Sequence, residues 1–118
     1  MTKGEVWIVE IPDLSGHEQS GLRPAIFIAD TRTSIAIVIP CTANLQALRF
    51  PFTIQIAPSR INGLDVSTIA LVLQLRAIDK KRLQKKVGKL EKPTLQKIEK
   101  MLRNLKRIWL NLLGLVSQ

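Results

Sequence analysis

Leu95, Ile98, Leu102, Leu105, Trp109, Leu112 and Val116 recur at alternating intervals of three and four residues, which is the spacing of one apolar face of an α-helix. Before about residue 79 the pattern is different: short β-branched runs, some strictly alternating, separated by polar turns. A chain with this order of periods is expected to fold as strands first and one long helix last, an α+β fold that is mainly β. Pro93 suits the opening turn of that helix, where a missing N–H costs little, and Lys97, Lys100, Lys106 and Arg107 lie off the apolar stripe. A shorter helix is expected over 79–86, with Asp79 as its N-cap.

The strands can be read one by one. Residues 5–11 alternate, with Val6, Ile8 and Glu10 on one side and Trp7, Val9 and Ile11 on the other, until Pro12-Asp13 ends the run. This predicts a strand partly buried on both faces. Residues 13–22 are polar and glycine-containing, a surface loop of the kind that carries function. Residues 24–29 and 34–40 are apolar runs joined by Asp30-Thr31-Arg32-Thr33, a hairpin turn. Phe52, Ile54 and Ile56 point inward from an alternating stretch, Asn62-Gly63 marks a turn, and 68–75 is a further apolar strand. Five or six short strands at this spacing predict a small barrel. The expected division is a barrel over 1–78 and a basic helical part over 79–118, within the one domain that 118 residues allow.

Composition narrows the function classes. With 46% apolar and 23% charged residues, the chain is too apolar for disorder. Cys41 is the one cysteine and His17 the one histidine, so neither an intrachain disulfide nor a Cys/His zinc site can be assembled. A reducing, cytoplasmic setting is expected. The N-terminal residues carry no apolar signal core, and the apolar stretches 35–41 and 108–116 are shorter than the roughly 20 residues a spanning helix needs; no membrane association is expected. Charge is unevenly placed. Residues 1–75 hold five Lys or Arg against six Asp or Glu, net −1, whereas residues 76–118 hold thirteen against three, net +10. Such a field favours an anionic partner.

The sequence contains no glycine-rich phosphate loop, H-E-x-x-H or G-x-S-x-G, and a single histidine excludes a two-histidine ribonuclease mechanism within one protomer. Cys41 follows a buried aliphatic run with only the distant His17 as a base, so it reads as structural. The polar residues that stand out sit at strand ends: Arg23 just before Pro24, Thr42 just after Pro40-Cys41, and Gln74 and Arg76, two apart near the end of the 68–75 strand.

Four sequence words, taken in order, change the weight of these residues. Gly16-His17-Glu18-Gln19-Ser20-Gly21-Leu22-Arg23-Pro24-Ala25, Pro40-Cys41-Thr42, Phe50-Pro51-Phe52 and Gln74-Leu75-Arg76-Ala77-Ile78-Asp79-Lys80-Lys81-Arg82-Leu83 resemble the landmarks of the MazF/PemK (Kid) family, the toxins of type II toxin–antitoxin modules. The resemblance runs from the K-G-E-V-W opening to the C-terminal helix. It implies an SH3-like small β-barrel (MazF/Kid/CcdB-like) with a C-terminal α-helix, a homodimer, a cognate acidic antitoxin as partner, and a sequence-selective endoribonuclease acting on single-stranded RNA without metal or cofactor. By motif, Arg23 matches the family's catalytic arginine and Thr42 its catalytic threonine. His17, Glu18, Gln19, Gln74 and Arg76 are the implied RNA-binding or supporting positions.

The chemistry is consistent with those roles. Cleavage by the RNA's own 2′-OH needs positive charge around the phosphorane, and the forked donors of an arginine supply it. A threonine hydroxyl can hold a phosphate oxygen. Neither is a general base at neutral pH, so Glu18 and His17 remain the candidates. Leu73 replaces the acidic residue the family commonly has before Gln74, and the 30–33 hairpin is shorter than its family counterpart; both bear on substrate selection. Two other readings stay open: a CcdB-like toxin that binds DNA gyrase, and a non-catalytic basic nucleic-acid-binding barrel.

Overall fold

Strand β1 (Glu5–Ile11) is apolar on both faces, and each face finds its own cover. In the computed structural model, which describes residues 1–11 and 21–115, Val6 belongs to one buried cluster, and Val9, with Trp7 and Ile11 packed against it, belongs to a second. A strand of this kind must lie inside a sheet. β1 pairs antiparallel with β2 (Gly21–Asp30) on one edge and with β7 (Leu83–Lys89) on the other. β2 turns into β3 (Ile35–Thr42) through the expected hairpin, where Arg32 adopts a positive φ of 61° and its N–H donates to Asp30 Oδ1 at 2.7 Å.

β3 divides its outer edge between two partners. Over Ile35–Val38 it pairs with β6 (Arg76–Asp79), and at Cys41 and Thr42 it pairs with β5 (Thr68–Leu71), which pairs in turn with β4 (Thr53–Ile56). Ile39 and Pro40 lie between the two partners, so the residue without an N–H stands where the outer ladder is interrupted. The strand order is β4-β5-β3-β2-β1-β7, with β6 beside β3. The mainly β architecture with one C-terminal helix is as expected; among the described residues the sheet is not closed into a barrel.

Helix α1 (Lys92–Leu112) covers the first cluster. Ile98 is fully buried, and Leu95, Met101, Leu102 and Leu105 pack against a core that includes Val6, Ile26, Ile39, Ile54, Ile56 and Val72. Full burial of such a side chain stabilises by about 1.5–3 kcal/mol. Pro93 occupies the first turn as expected. The apolar stripe outlasts the core: Trp109 is 60% exposed and Leu112 77% exposed. Val116 lies outside the described residues. No described helix is long and apolar enough to cross a membrane.

Three expectations are corrected. Residues 79–86 are not a helix: Asp79 ends β6, Lys80–Arg82 form a 3-10 turn, and Leu83 begins β7. Asp79 does act as a cap, accepting from Lys81 N at 2.9 Å, but the chain then extends because β1 offers an unpaired edge. The sheet therefore runs on to Lys89, and the division between 1–78 and 79–118 does not coincide with the passage from strand to helix. The 68–75 strand stops at Leu71, followed by a 3-10 turn over Val72–Gln74. Gln74 and Arg76 consequently share no strand face.

The turn at Asn62-Gly63 locks the loop before β5 onto β7 and α1. Asn62 is fully buried. Its Oδ1 accepts from Ser59 N and Leu64 N, both at 3.0 Å, and its Nδ2 donates to Ala57 O at 2.9 Å and Glu91 Oε1 at 3.2 Å. Ser59 Oγ donates to Glu91 Oε2 at 2.5 Å. The backbones pass so closely that a Cβ at Gly88 would fall on the Ile61 carbonyl and the Asn62 backbone, and a Cβ at Gly63, whose φ is +71°, on the Val87 carbonyl. The Ser59 hydroxyl, with the backbone N–H of Glu91 and the Asn62 amide, holds the Glu91 carboxyl below its ordinary range against a smaller opposing effect of burial. Asn62→Ala removes the partner of two donors, Ser59 N and Leu64 N, and of two acceptors, Ala57 O and Glu91 Oε1, and is expected to cost on the order of 2–4 kcal/mol in urea unfolding. Because the folded-state value of Glu91 is lowered, its contribution is complete above the ordinary glutamate range and is lost as pH falls through the lowered value. Glu91→Gln should flatten that part of the acid limb, and an unchanged limb would show that the carboxylate contributes nothing.

Candidate active site

Arg23 and Thr42 stand on neighbouring strands. Arg23 lies opposite Val9 in the β1–β2 ladder, and Thr42 is the last residue of β3. The final pair recorded between β2 and β3 is Ala25 with Pro40. Arg23 is two residues before Ala25 and Thr42 two after Pro40, so both project from the same face of the sheet. Beyond Thr42 the chain bends: Thr42 Oγ1 accepts from Asn44 N at 3.1 Å, and Asn44 Oδ1 accepts from Gln46 N at 3.0 Å, capping a 3-10 turn over Leu45–Arg49. These local bonds stop the strand at Thr42.

Together these elements form an open depression of about 360 Å³, with Gly21, Leu22, Arg23 and Pro24 on one wall and Cys41, Thr42, Ala43 and Asn44 on the other. Arg23 is half-buried and has no ion-pair partner among the described residues. A guanidinium and a hydroxyl on one concave surface suit a phosphodiester: the guanidinium spans two oxygens and the hydroxyl holds a third. Cys41 shares the wall, but its thiol is buried and burial pushes its pKa up to about 12. It is a core side chain and no nucleophile at neutral pH.

The other expected positions disperse. Arg76 opens β6 opposite Val38, on the face that carries Thr42 but four residues along β3, about 13 Å away. Gln74 belongs to a separate depression of about 220 Å³, mostly apolar, with Phe50, Phe52, Leu71 and Leu73. His17, Glu18 and Gln19 lie outside the described residues. Asn44 lines the site and was not singled out from the sequence; the two polar residues Thr42 and Asn44 ending an apolar strand were the available signal. Among the described residues no three His, Cys, Asp or Glu side chains are grouped so as to hold a metal ion.

Known proteins resemble this chain in sequence and fold over most of its length. The family described as the PemK-like, MazF-like toxin of type II toxin–antitoxin system matches residues 2–105. Endoribonuclease EndoA of Bacillus subtilis is 30% identical over 104 residues, covering 85% of this chain and 89% of its own. Among solved structures, MazF from Deinococcus radiodurans superposes with a TM-score of 0.65 at 25% identity, covering 87% of this chain and 92% of that one. An endoribonuclease in complex with its cognate antitoxin from a mycobacterial species gives 0.61 at 19% identity, covering 98% of this chain and 95% of that one, a likeness of fold. The half-buried arginine and strand-end threonine thus stand in a chain that belongs to the PemK-like, MazF-like toxins of type II toxin–antitoxin systems.

Proposed function

We propose that this toxin is an endoribonuclease that cuts single-stranded RNA in the Arg23–Thr42 depression by internal attack of the ribose 2′-OH. The observation that carries the reading is that Arg23-Pro24 and Cys41-Thr42, taken from two separate sequence words, line one concave surface. In the reaction the 2′-oxygen bonds to the adjacent phosphorus, the P–O5′ bond breaks, and the departing oxygen takes a proton. The ends left are a 2′,3′-cyclic phosphate and a 5′-OH. Arg23 faces the charge that grows on the non-bridging oxygens, where a fixed cation is worth more in the transition state than in the ground state. Thr42 orients the phosphate. The general base is left unassigned, with Glu18 and His17 as the groups of suitable chemistry.

The same reading includes two protein partners and a cytoplasmic site of action. Ile108, Trp109, Leu112, Leu113 and Leu115 leave an apolar helix end uncovered, which supports a homodimer. A net charge of +9 supports an acidic antitoxin, and the mycobacterial endoribonuclease is itself held by its cognate antitoxin.

Pure protein should cut a long single-stranded RNA into defined fragments at the same rate with and without EDTA, and a single 2′-deoxy substitution at the cut nucleotide should abolish that cut. RNA retarded but left whole would instead favour a non-catalytic binder. Arg23→Ala should lose activity on the order of 10²–10³-fold with an unchanged circular-dichroism spectrum; Arg23→Lys should recover part of it, since a point charge cannot reproduce the fork. Thr42→Val keeps the β-branched shape and removes only the hydroxyl. Wild-type rates in both Arg23→Ala and Thr42→Val would remove the assigned site. Light scattering at micromolar concentration should give the mass of a dimer, and a Trp109→Glu variant should shift it toward the monomer.

A further inference from the structure

Edge strand β7 carries Lys85, Lys86 and Lys89, and its pairing sorts them by face. Two register shifts in the β1–β7 ladder leave Gln84 and Val87 without counterparts, so Leu83 lies opposite Val9, Lys86 opposite Trp7 and Lys89 opposite Glu5. Each shift adds one residue to one strand, as in a β-bulge. Residues directly opposite one another share a face, and Val9 is also opposite Arg23. Lys86 and Lys89 therefore lie on the sheet face that carries Arg23.

Where β7 gives way to α1, a concavity of about 470 Å³ opens, lined by Lys3, Lys86, Lys89, Lys92 and the Glu5 carboxylate among others. Two of the four lysines are matched: Lys86 Nζ is 3.1 Å from Glu5 Oε2, and Lys3 Nζ is 2.8 Å from Glu99 Oε2. Burial would raise the Glu5 carboxyl, but hydrogen bonds from Trp7, the backbone at Thr2 and Lys86 outweigh it and keep the group charged. Lys89 and Lys92 are exposed and have no acidic partner among the described residues.

We propose that this lysine-lined concavity is a second phosphate-binding subsite, in which Lys89 and Lys92 hold the RNA backbone away from the phosphate held by Arg23 and Thr42. The proposal rests on the nuclease reading above. From Arg23 the subsite lies about 13 Å along β1 and about 10 Å across two strand spacings, a diagonal of about 16 Å. At about 3.4 Å per stacked nucleotide this is about five nucleotides. Lysines on an edge strand also discourage pairing with another chain, but that role does not require Lys3 and Lys92, from two other segments, to converge on the same hollow. An acidic protein segment would match the charge, yet no exposed large apolar side chain lines the hollow to receive an anchor residue. A phosphodiester strand needs only the charge.

The test compares Lys89→Ala/Lys92→Ala with a charge-matched control, Lys97→Ala/Lys100→Ala, whose side chains are exposed on α1. Steady-state cleavage is measured on a long RNA and on its shortest fragment that the wild-type protein still cuts. Binding of an uncuttable, fully 2′-O-methylated strand of about 20 nucleotides is followed across salt. The Lys89/Lys92 variant should raise KM for the long RNA on the order of 5–10-fold with kcat unchanged, leave KM for the short fragment alone, and make the salt slope shallower by about 1.4, about 0.7 per lost contact. The control should move neither. An unchanged KM and slope in the Lys89/Lys92 variant overturns the subsite. If the wild-type protein cuts no RNA, the nuclease reading fails by itself and the salt slope on the uncuttable strand still decides the subsite. A Lys89/Lys92 variant that handles RNA as the wild type does but loses affinity for an acidic antitoxin peptide would mark a protein-docking surface and overturn the proposal.

Discussion

The rest of the molecule depends on β3 changing partners at Ile39 and Pro40. With β6 along its first half and β5 at its end, one strand belongs to two ladders, and through it Ile54, Ile56 and Ala70 join Val6, Ile26 and Ile39 in the first core cluster. Pro40 fits that point because an imide nitrogen has no hydrogen to lose where the outer ladder is interrupted. Two residues on, the polar bonds of Thr42 and Asn44 end the strand. The candidate active site is thus a by-product of strand termination: a hydroxyl exposed where pairing stops, beside the arginine two residues into β2.

The two faces of the sheet are used for different purposes. One is closed by α1 through Ile98 and its neighbours and makes the larger cluster. The other has a smaller apolar cluster around Val9, Ala25, Val38 and Ile78, and its margins carry Arg23, Thr42, Arg76, Lys86 and Lys89. Burying apolar surface at the middle of that face while leaving cations at its edges gives a rigid floor with a positive rim. Such a surface suits a flexible polyanion that must be aligned before one of its phosphates reacts. The Asn62–Glu91 clasp adds to this rigidity by fixing β7, the loop before β5 and the start of α1 to one another through buried polar bonds whose loss would leave donors unpaired.

Much of this was legible in the chain alone. Strand β1 was read with its bounds and both faces, because alternation between two sets of large apolar residues admits one interpretation. The hairpin at 30–33, the turn at Asn62-Gly63, the inward pair Ile54 and Ile56 and the long helix after Pro93 follow from local chemistry in the same way. The pairing of Arg23 with Thr42 was legible through family words, not through spacing. The failures share one cause. A helix over 79–86 is expected because Asp79 can cap one; the same cap serves a 3-10 turn over Lys80–Arg82, and the chain beyond it extends as a strand with two register shifts. The 68–75 run was read as one strand because all its aliphatics look alike, while the break at Leu71 is forced by β3, where β5 must end for β6 to begin.

The sequence by itself determined the class of fold, the basic C-terminal region, the two residues proposed to face a phosphate and the family to which the chain belongs. These depend on local periodicity, capping, charge count and short words, all of which are contained within a few residues of one another. Only the tertiary structure decided which lysines share a face with Arg23, that Gln74 lines a separate apolar depression, and that Ile108, Trp109 and Leu112 at the end of α1 are left exposed. Each of those is a question of register. A slip of one residue carries a side chain to the opposite face of a sheet, and register is set by which edges remain unpaired once all the strands have met.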